Sequence, residues 1–330
     1  MPFPLADWIL DHPGMRHDLA QSGMKGQLRT ALPLLRSVRP GKPPELRARL
    51  GRVLGVPAER VVLTTGATTA NTLVLLYLAR ALRAEGKSSL FCGIRTPEYP
   101  PLVDIASGIG FRVSQGLGGN DVALLSNPNN PEGVLRTSED VLRLAEGSRH
   151  VVIDETFREF TPSRSFARLG RAGWWTTGTF TKVYGADDIR MGFAVPPAGE
   201  AERFRDACDL WVDRPALASV GAALSILRNR TTLLRESRAL FERNLRLLRE
   251  RVPDLPLLRA PVWFDRAVGP DFTLRLAEEG IRRGVLVCPG HYFGDPSGVR
   301  VCLTQRTFEK DLDAYLALRA RFVSRGRAGR

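Results

Sequence analysis

The sequence predicts an α/β protein: a large domain with a mostly parallel mixed sheet sandwiched by helices, plus a smaller α+β domain. Short β-branched runs alternate with helical stretches between about residues 60 and 196. That alternation is the signature of a parallel sheet covered by helices. After Pro196 the texture changes to one long helical pattern followed by mixed short pieces. With 330 residues, 43% of them hydrophobic, the chain can bury two cores. The expected division is an arm over 1–45, a large domain over 46–235 and a small domain over 236–330.

Taken in order, Val61–Thr64 reads as a strand and Thr68 to about Glu85 as a helix, with apolar residues at 73, 74, 76, 77, 78 and 81. Ser89–Gly93 is a short strand, Pro100–Ser107 a helix and Val122–Leu125 a strand. Thr137 or Ser138 caps a helix reaching about Glu146, with Glu139 and Asp140 placed to favour its N-terminal dipole. Val151–Ile153, Thr177–Thr181 and Gly192–Val195 read as further strands. A helix over Thr231–Glu250 carries Leu233, Leu234, Leu240, Phe241, Leu245 and Leu248 on one face, and Pro253 and Pro256 end it. Beyond it come strand-like pieces at Pro261–Phe264, Gly284–Val287 and Gly298–Leu303, and helices at Pro270–Gly280 and Phe308–Arg321. Residues 1–45, rich in Pro and Gly, are expected to wrap onto the small domain, and Arg319–Arg330 to form a frayed tail.

Composition excludes several classes. No run of about 18 apolar residues is uninterrupted, so a membrane span is not expected. The four cysteines (92, 208, 288, 302) form no C-x-x-C pair and have no zinc-ligand spacing with the four His. The first residues show no signal-peptide pattern, and a reducing, cytoplasmic setting is expected. The net charge is +13, from 48 basic and 35 acidic residues. The basic residues are spread through nearly every segment rather than gathered on one face with aromatics, which argues against nucleic acid as a partner. Such a charge favours acidic small molecules.

Ligand sites of open α/β sheets lie at the carboxyl ends of strands. Four segments reach such ends. Thr64–Ala70 is a strand, a turn at Gly66, then a helix start at Ala67 and Thr68 whose N–H groups and hydroxyls suit a phosphate. Ser126–Gly133 is a loop locked by two prolines and carrying three Asn. Asp154 follows a buried strand, where a carboxylate needs partners. Thr179–Gly185 holds Lys182, one of only five Lys in a chain that otherwise uses Arg. Lysine can form a Schiff base, which arginine cannot do at neutral pH.

The motifs NPNNPEG, VVIDETF and TGTFTKVYGADDIRMG, in that order, resemble the signature of fold-type I pyridoxal-phosphate enzymes of the class I/II aminotransferase group. The resemblance is to the branch with histidinol-phosphate and archaeal-type aminotransferases, and covers roughly residues 40–305. It implies pyridoxal 5′-phosphate as cofactor, a homodimer, and amino transfer between an L-amino acid and a 2-oxo acid. Lys182 resembles the lysine that joins the cofactor as an aldimine and moves the proton. Asp154 resembles the partner of the pyridine nitrogen, and Asn130 the donor to the ring oxygen. Arg190 resembles the phosphate clamp, with Gly66, Ala67, Thr68 and Thr179 around it. Tyr99 resembles the aromatic stacked on the ring. Arg300, together with Asn130, resembles the holder of the substrate α-carboxylate. A β-lyase, cyclase or decarboxylase on the same cofactor is the alternative implied, and a non-catalytic basic nucleic-acid-binding protein a remote one. Two departures stand out. Phe157 occupies the position of a Tyr that donates to the ring oxygen, so the cofactor–lysine pKa is expected above that of Tyr-bearing relatives. The opening segment, Phe3–Trp8 and Leu19–Met24, also differs from the family pattern, and it bears on substrate choice. His291, in the Gly290–Gly294 loop, is a further candidate for substrate contact.

Overall fold

The computed structural model describes residues 4–36, 39–267, 269–270 and 272–327. Phe3 and residues 328–330 of the expected tail lie outside the described residues. The strands are β1 (His17–Asp18), β2 (Val62–Thr64), β3 (Leu90–Ile94), β4 (Phe111–Gln115), β5 (Val122–Ser126), β6 (His150–Asp154), β7 (Trp174–Thr179), β8 (Gly192–Val195), β9 (Val262–Asp265), β10 (Val285–Leu286), β11 (Cys288–Pro289) and β12 (Val299–Cys302). The α-helices are α1 (Pro4–Leu10), α2 (Ala31–Arg36), α3 (Pro43–Leu54), α4 (Ala67–Ala84), α5 (Pro100–Ile109), α6 (Ser138–Leu144), α7 (Ala201–Trp211), α8 (Leu217–Arg228), α9 (Arg230–Arg251), α10 (Thr273–Arg282) and α11 (Phe308–Arg327).

Seven strands form one sheet in the order β2-β8-β7-β6-β5-β3-β4. Only β8 runs against the others, pairing antiparallel with β2 and β7. The mixed, mostly parallel α/β architecture is therefore present. Strand periodicity builds its two faces. Val122, Leu124 and Val152 pack with α4 residues such as Val74 and Leu78. Ala123, Leu125, Val151 and Ile153 point the other way, onto Val141 of α6. A second sheet, β11-β12-β9, is antiparallel.

Several elements differ from the sequence reading. The strand expected at Thr177–Thr181 begins at Trp174 and stops at Thr179, whose hydroxyl accepts the Thr181 N–H at 3.2 Å and turns the chain. The strand expected at Gly284–Val287 is two, because β10 pairs with β1 and β11 with β12. The helix expected at Pro270–Gly280 runs over Thr273–Arg282, and the expected tail is helical as far as Arg327.

The first described residues pair with C-terminal strands. β1 pairs in parallel with β10, the Leu19 N–H donates to the Leu286 carbonyl, and the Cys302 N–H donates to the Leu19 carbonyl. Leu19 and Met24 are fully buried. On α1, Leu5 packs with Phe264, Leu286 and Phe293, and the Trp8 indole donates to the Val287 carbonyl at 2.9 Å.

Candidate active site

The β2-to-α4 turn brings backbone donors to the sheet's carboxyl edge. Gly66 caps α4 at φ 135°, a left-handed value that favours glycine, and no side chain caps the first helical turn. Arg190 adopts φ 43° and packs beside this turn, where a Cβ on Gly66 would lie 3.1 Å from its Nη2. Gly192 is pinned between Gly66 and Gly178; a Cβ there would fall 2.5 Å from the Gly66 carbonyl carbon. Thr179 donates to the Met191 carbonyl at 3.0 Å, which ties β7 to the Arg190 segment.

The β5 loop uses its three Asn differently. Asn127 exchanges hydrogen bonds with the Arg136 backbone, and Asn129 accepts from the Glu132 N–H, so both are structural. Asn130 faces the cavity, with its backbone N–H donating to Ser126 Oγ at 3.0 Å. Behind the loop lies buried Glu98. It accepts from the N–H of Ser126 at 2.9 Å and of Tyr99 at 2.7 Å, from the Ser126 hydroxyl, and from Asn129 Nδ2 at 3.3 Å. Burial nevertheless pushes its carboxyl up to about 8. Glu98 thus joins the Asn loop to the backbone that carries Tyr99.

Asp154 ends β6 and is buried. Its Oδ2 accepts from Asn71 Nδ2 at 2.7 Å and its Oδ1 from the Thr156 N–H at 2.8 Å. The Thr177 hydroxyl donates to Asn71 Oδ1 at 2.6 Å, which fixes the amide with its nitrogen toward the carboxylate. Burial raises the Asp154 pKa, while these donors and the Lys182 charge oppose the rise. Lys182 sits in the turn after β7. Desolvation lowers its pKa, with nearby Asp187 acting against the shift and Arg300 with it. The Lys182 carbonyl accepts the Met24 N–H at 3.0 Å, so the N-terminal segment braces this turn.

Arg300, on β12, is buried. Its Nη1 donates to Asn130 Oδ1 at 3.1 Å, leaving Asn130 Nδ2 as the free donor of that amide. Its Nη2 donates to the Ala20 carbonyl at 2.8 Å and lies 3.2 Å from Cys288 Sγ. Burial pushes the Cys302 thiol up to about 12, and Cys288 rises for the same reason. Both stay neutral beside the guanidinium. Arg300 Nε is buried without a hydrogen-bond partner among the described residues.

One cavity of about 430 Å³ gathers these groups, a size typical of small-molecule sites. Ala67, Thr68, Tyr99, Asn130, Asp154, Thr179, Lys182, Arg190 and Arg300 line it, with Gly66 directly behind Arg190. Phe157 lines it as well, whereas His291 does not. The opening segment singled out in the sequence reaches the cavity through Leu5, Ala6, Ala20, Gln21 and Ser22. Sequence reasoning missed Asn71, Thr156, Ile9 and Leu10. Asn71 did carry a signal, as a polar residue in register with the apolar stripe Val74–Leu78 of α4, whereas Ile9 and Leu10 carried none.

The cavity at the strand carboxyl ends, with an uncapped helix, a buried carboxylate and a buried lysine, defines an α/β ligand-binding enzyme scaffold. Residues 113–314 match the family model for aminotransferase class I and II, and the chain belongs to that family. It is 31% identical over 207 residues to histidinol-phosphate aminotransferase 2 of Nitrosospira multiformis, covering 54% of this chain and 50% of that one. With histidinol-phosphate aminotransferase 1 of Nitrosococcus oceani it shares 28% over 287 residues, 78% and 74% of the two chains. The chain spans about half the length of the first of these relatives. Among solved structures, a PLP-dependent aminotransferase from Streptococcus suis superposes with a TM-score of 0.76 at 20% identity, over 98% of both chains. A PLP-dependent cyclase gives 0.75 at 21%, over 98% of this chain and 97% of that one, so the likeness is one of fold. Among the described residues no helix is long and apolar enough to cross a membrane, and no cluster of ligands could hold a metal ion.

Proposed function

We propose that the chain is a pyridoxal-phosphate-dependent aminotransferase, moving an amino group between an L-amino acid and a 2-oxo acid. One observation carries this: residues from four separate strand ends and from β12 converge on one cavity, with complementary chemistry. The residues fit the cofactor. An uncapped helix start with Arg190 suits a phosphate, a buried carboxylate suits a protonated pyridine nitrogen, and an amine of lowered pKa suits an aldehyde. Arg300 Nε, buried without a hydrogen-bond partner among the described residues, suits a carboxylate acceptor.

When bound, the cofactor supplies an aldehyde to carry the amino group and a ring to take up the electron pair released at Cα. Asp154, held by Asn71 and Thr156, would keep a proton on the ring nitrogen. Asn130, its amide oriented by Arg300, would donate through Nδ2 to the ring oxygen. Arg190 and the N–H groups of Ala67 and Thr68 would hold the phosphate, with Thr179 beside them, and Tyr99 would contact the ring. Arg300 would hold the substrate α-carboxylate. The Lys182 amine, neutral more readily because it is desolvated, would take the Cα proton and deliver it to the carbon on the far side of the amino nitrogen.

The domain division at 45 and 235, a homodimer and a cytoplasmic setting belong to the same proposal. Four buried free thiols support the last. The test loads the chain with pyridoxal phosphate, mixes it with amino donors, and follows both the spectrum and pyridoxamine phosphate. The proposal expects a bound chromophore, its conversion by donors, and its return with a 2-oxo acid. A chain that binds no cofactor, or binds it without forming pyridoxamine phosphate, overturns it.

A further inference from the structure

We propose that Glu159 is a positioning residue for Lys182: from outside the cavity it holds, through the Tyr184 hydroxyl, the turn on which the lysine stands. This deepens the amino-transfer reading above and rests on it. Lys182 belongs to no helix or strand, because residues 181–184 form a turn after β7. A turn has few backbone bonds of its own, so its aim depends on what grips it from behind. Besides the Met24 N–H, two side chains do so. The Ser237 hydroxyl on α9 donates to the Val183 carbonyl, and the Tyr184 hydroxyl donates to Glu159 Oε2. Tyr184 and Ser237 are fully buried, and neither they nor Glu159 line the cavity.

Glu159 is itself fixed. Arg230, at the start of α9, donates to its Oε1 from Nε at 3.0 Å and from Nη2 at 2.6 Å, which leaves Oε2 to the tyrosine. Arg158 Nη2 lies 3.5 Å from the same Oε1. Arg238 donates to the Glu159 and Thr161 carbonyls at 2.9 and 2.7 Å. Burial opposes the Glu159 charge, but the Arg158 and Arg230 charges and the hydrogen bonds from Tyr184 and Arg230 outweigh it and hold the carboxyl below its usual range. A buried ion network adds little net stability over apolar packing of equal volume. What this one fixes is the place of the Tyr184 hydroxyl.

The helix α9 carries the hold to the other side of the site. Ser237 and Asn244 are buried polar residues on its apolar face, about two turns apart. Asn244 Nδ2 donates to the Leu303 and Gln305 carbonyls at 3.0 and 2.8 Å, just past β12, the strand of Arg300. One helix thus sets the spacing between the amine and the guanidinium.

The experiment uses the full chain, its variants Tyr184→Phe, Glu159→Gln and the two together, and pyridoxal phosphate as the probe. It reads the first-order rate of cofactor–lysine chromophore formation at saturating pyridoxal phosphate, kcat and KM with two amino donors, and urea unfolding. A displaced amine attacks the aldehyde and transfers the proton more slowly, both for the same reason. Tyr184→Phe, which keeps the buried ring, is expected to lower the chromophore rate and kcat by about 10-fold each, with KM within about twofold for both donors. The double variant should be no slower than Glu159→Gln alone, because the two residues act as one relay. A parental chromophore rate in Tyr184→Phe, whatever its unfolding midpoint, overturns the inference. So does a double variant slowed by the product of the two single effects. If Glu159→Gln does not fold, Tyr184→Phe decides alone. A parent that forms the chromophore but no pyridoxamine phosphate overturns amino transfer, while the chromophore rates still decide the role of Glu159. A parent that forms no chromophore overturns both.

Discussion

The two walls of the cavity are built on opposite plans. The wall toward the large sheet is polar and over-determined. Asp154 is held by two donors, Asn71 is itself held by Thr177, and Glu98 accepts four hydrogen bonds beneath Tyr99 and the Asn loop. The opposite wall is a seven-residue helix fixed by one apolar contact cluster and one indole hydrogen bond. The contrast teaches a division of labour. Groups that do chemistry need fixed protons and charges, which requires networks. A wall held by packing needs only shape, and a single amphipathic helix supplies it.

Substitutions test that division by whether they lower kcat or raise KM. Lys182→Ala should be largest, removing at least about 10³-fold of activity toward every donor together with the cofactor–lysine chromophore; an unchanged spectrum with turnover would refute the role. Asn71→Ala deprives buried Asp154 of one hydrogen bond to a charged group, worth about 1.5–3 kcal/mol. It should lower kcat about 10- to 100-fold for all donors alike, read by steady-state kinetics with two donors of different side chain. Trp8→Phe breaks only the α1 tether, worth about 0.5–1.5 kcal/mol. It should raise KM several-fold and leave kcat within about twofold. A uniform fall in kcat would place α1 in the chemical machinery instead.

Glu98 gives the smallest and most pH-specific effect. Its unfolded pKa lies near 4.5 and its folded pKa near 8, so the folded state binds more protons between those values. Stability from this group is therefore full below about pH 4.5 and declines as pH rises toward 8. In Glu98→Gln that decline disappears, so the variant's deficit relative to the parent should narrow between pH 5 and pH 9, measured by urea unfolding. A deficit that stays constant over that range would show that Glu98 is ionised throughout.

The polar wall was more legible in the sequence than the apolar one, for a physical reason. Lys182, Asp154, Asn130 and Arg190 are polar groups set in short ordered segments at strand ends, where turn and strand signals are strong. β5, β6 and β8 were read within a residue or two because buried parallel strands are nearly continuous apolar runs. β4 went unread because its edge position leaves Arg112, Ser114 and Gln115 polar or exposed. Nor were α7 and α8 resolved from the long stretch after Pro196. The α1 wall was legible only as a segment bearing on substrate choice, because Leu5, Ala6 and Ile9 are ordinary apolar residues whose contacts lie nearly the whole chain away.

That separation has a consequence for biosynthesis. His17 and Asp18 find their backbone partners at Val285 and Leu286. An early stretch must wait for one made more than 260 residues later. Until then the large sheet can form with one side of its ligand chamber missing, because domains emerge and fold from the amino end while long-range pairings come late. Nascent chains should therefore gain a complete chamber only after Val285 and Leu286 have emerged, as one late closing event.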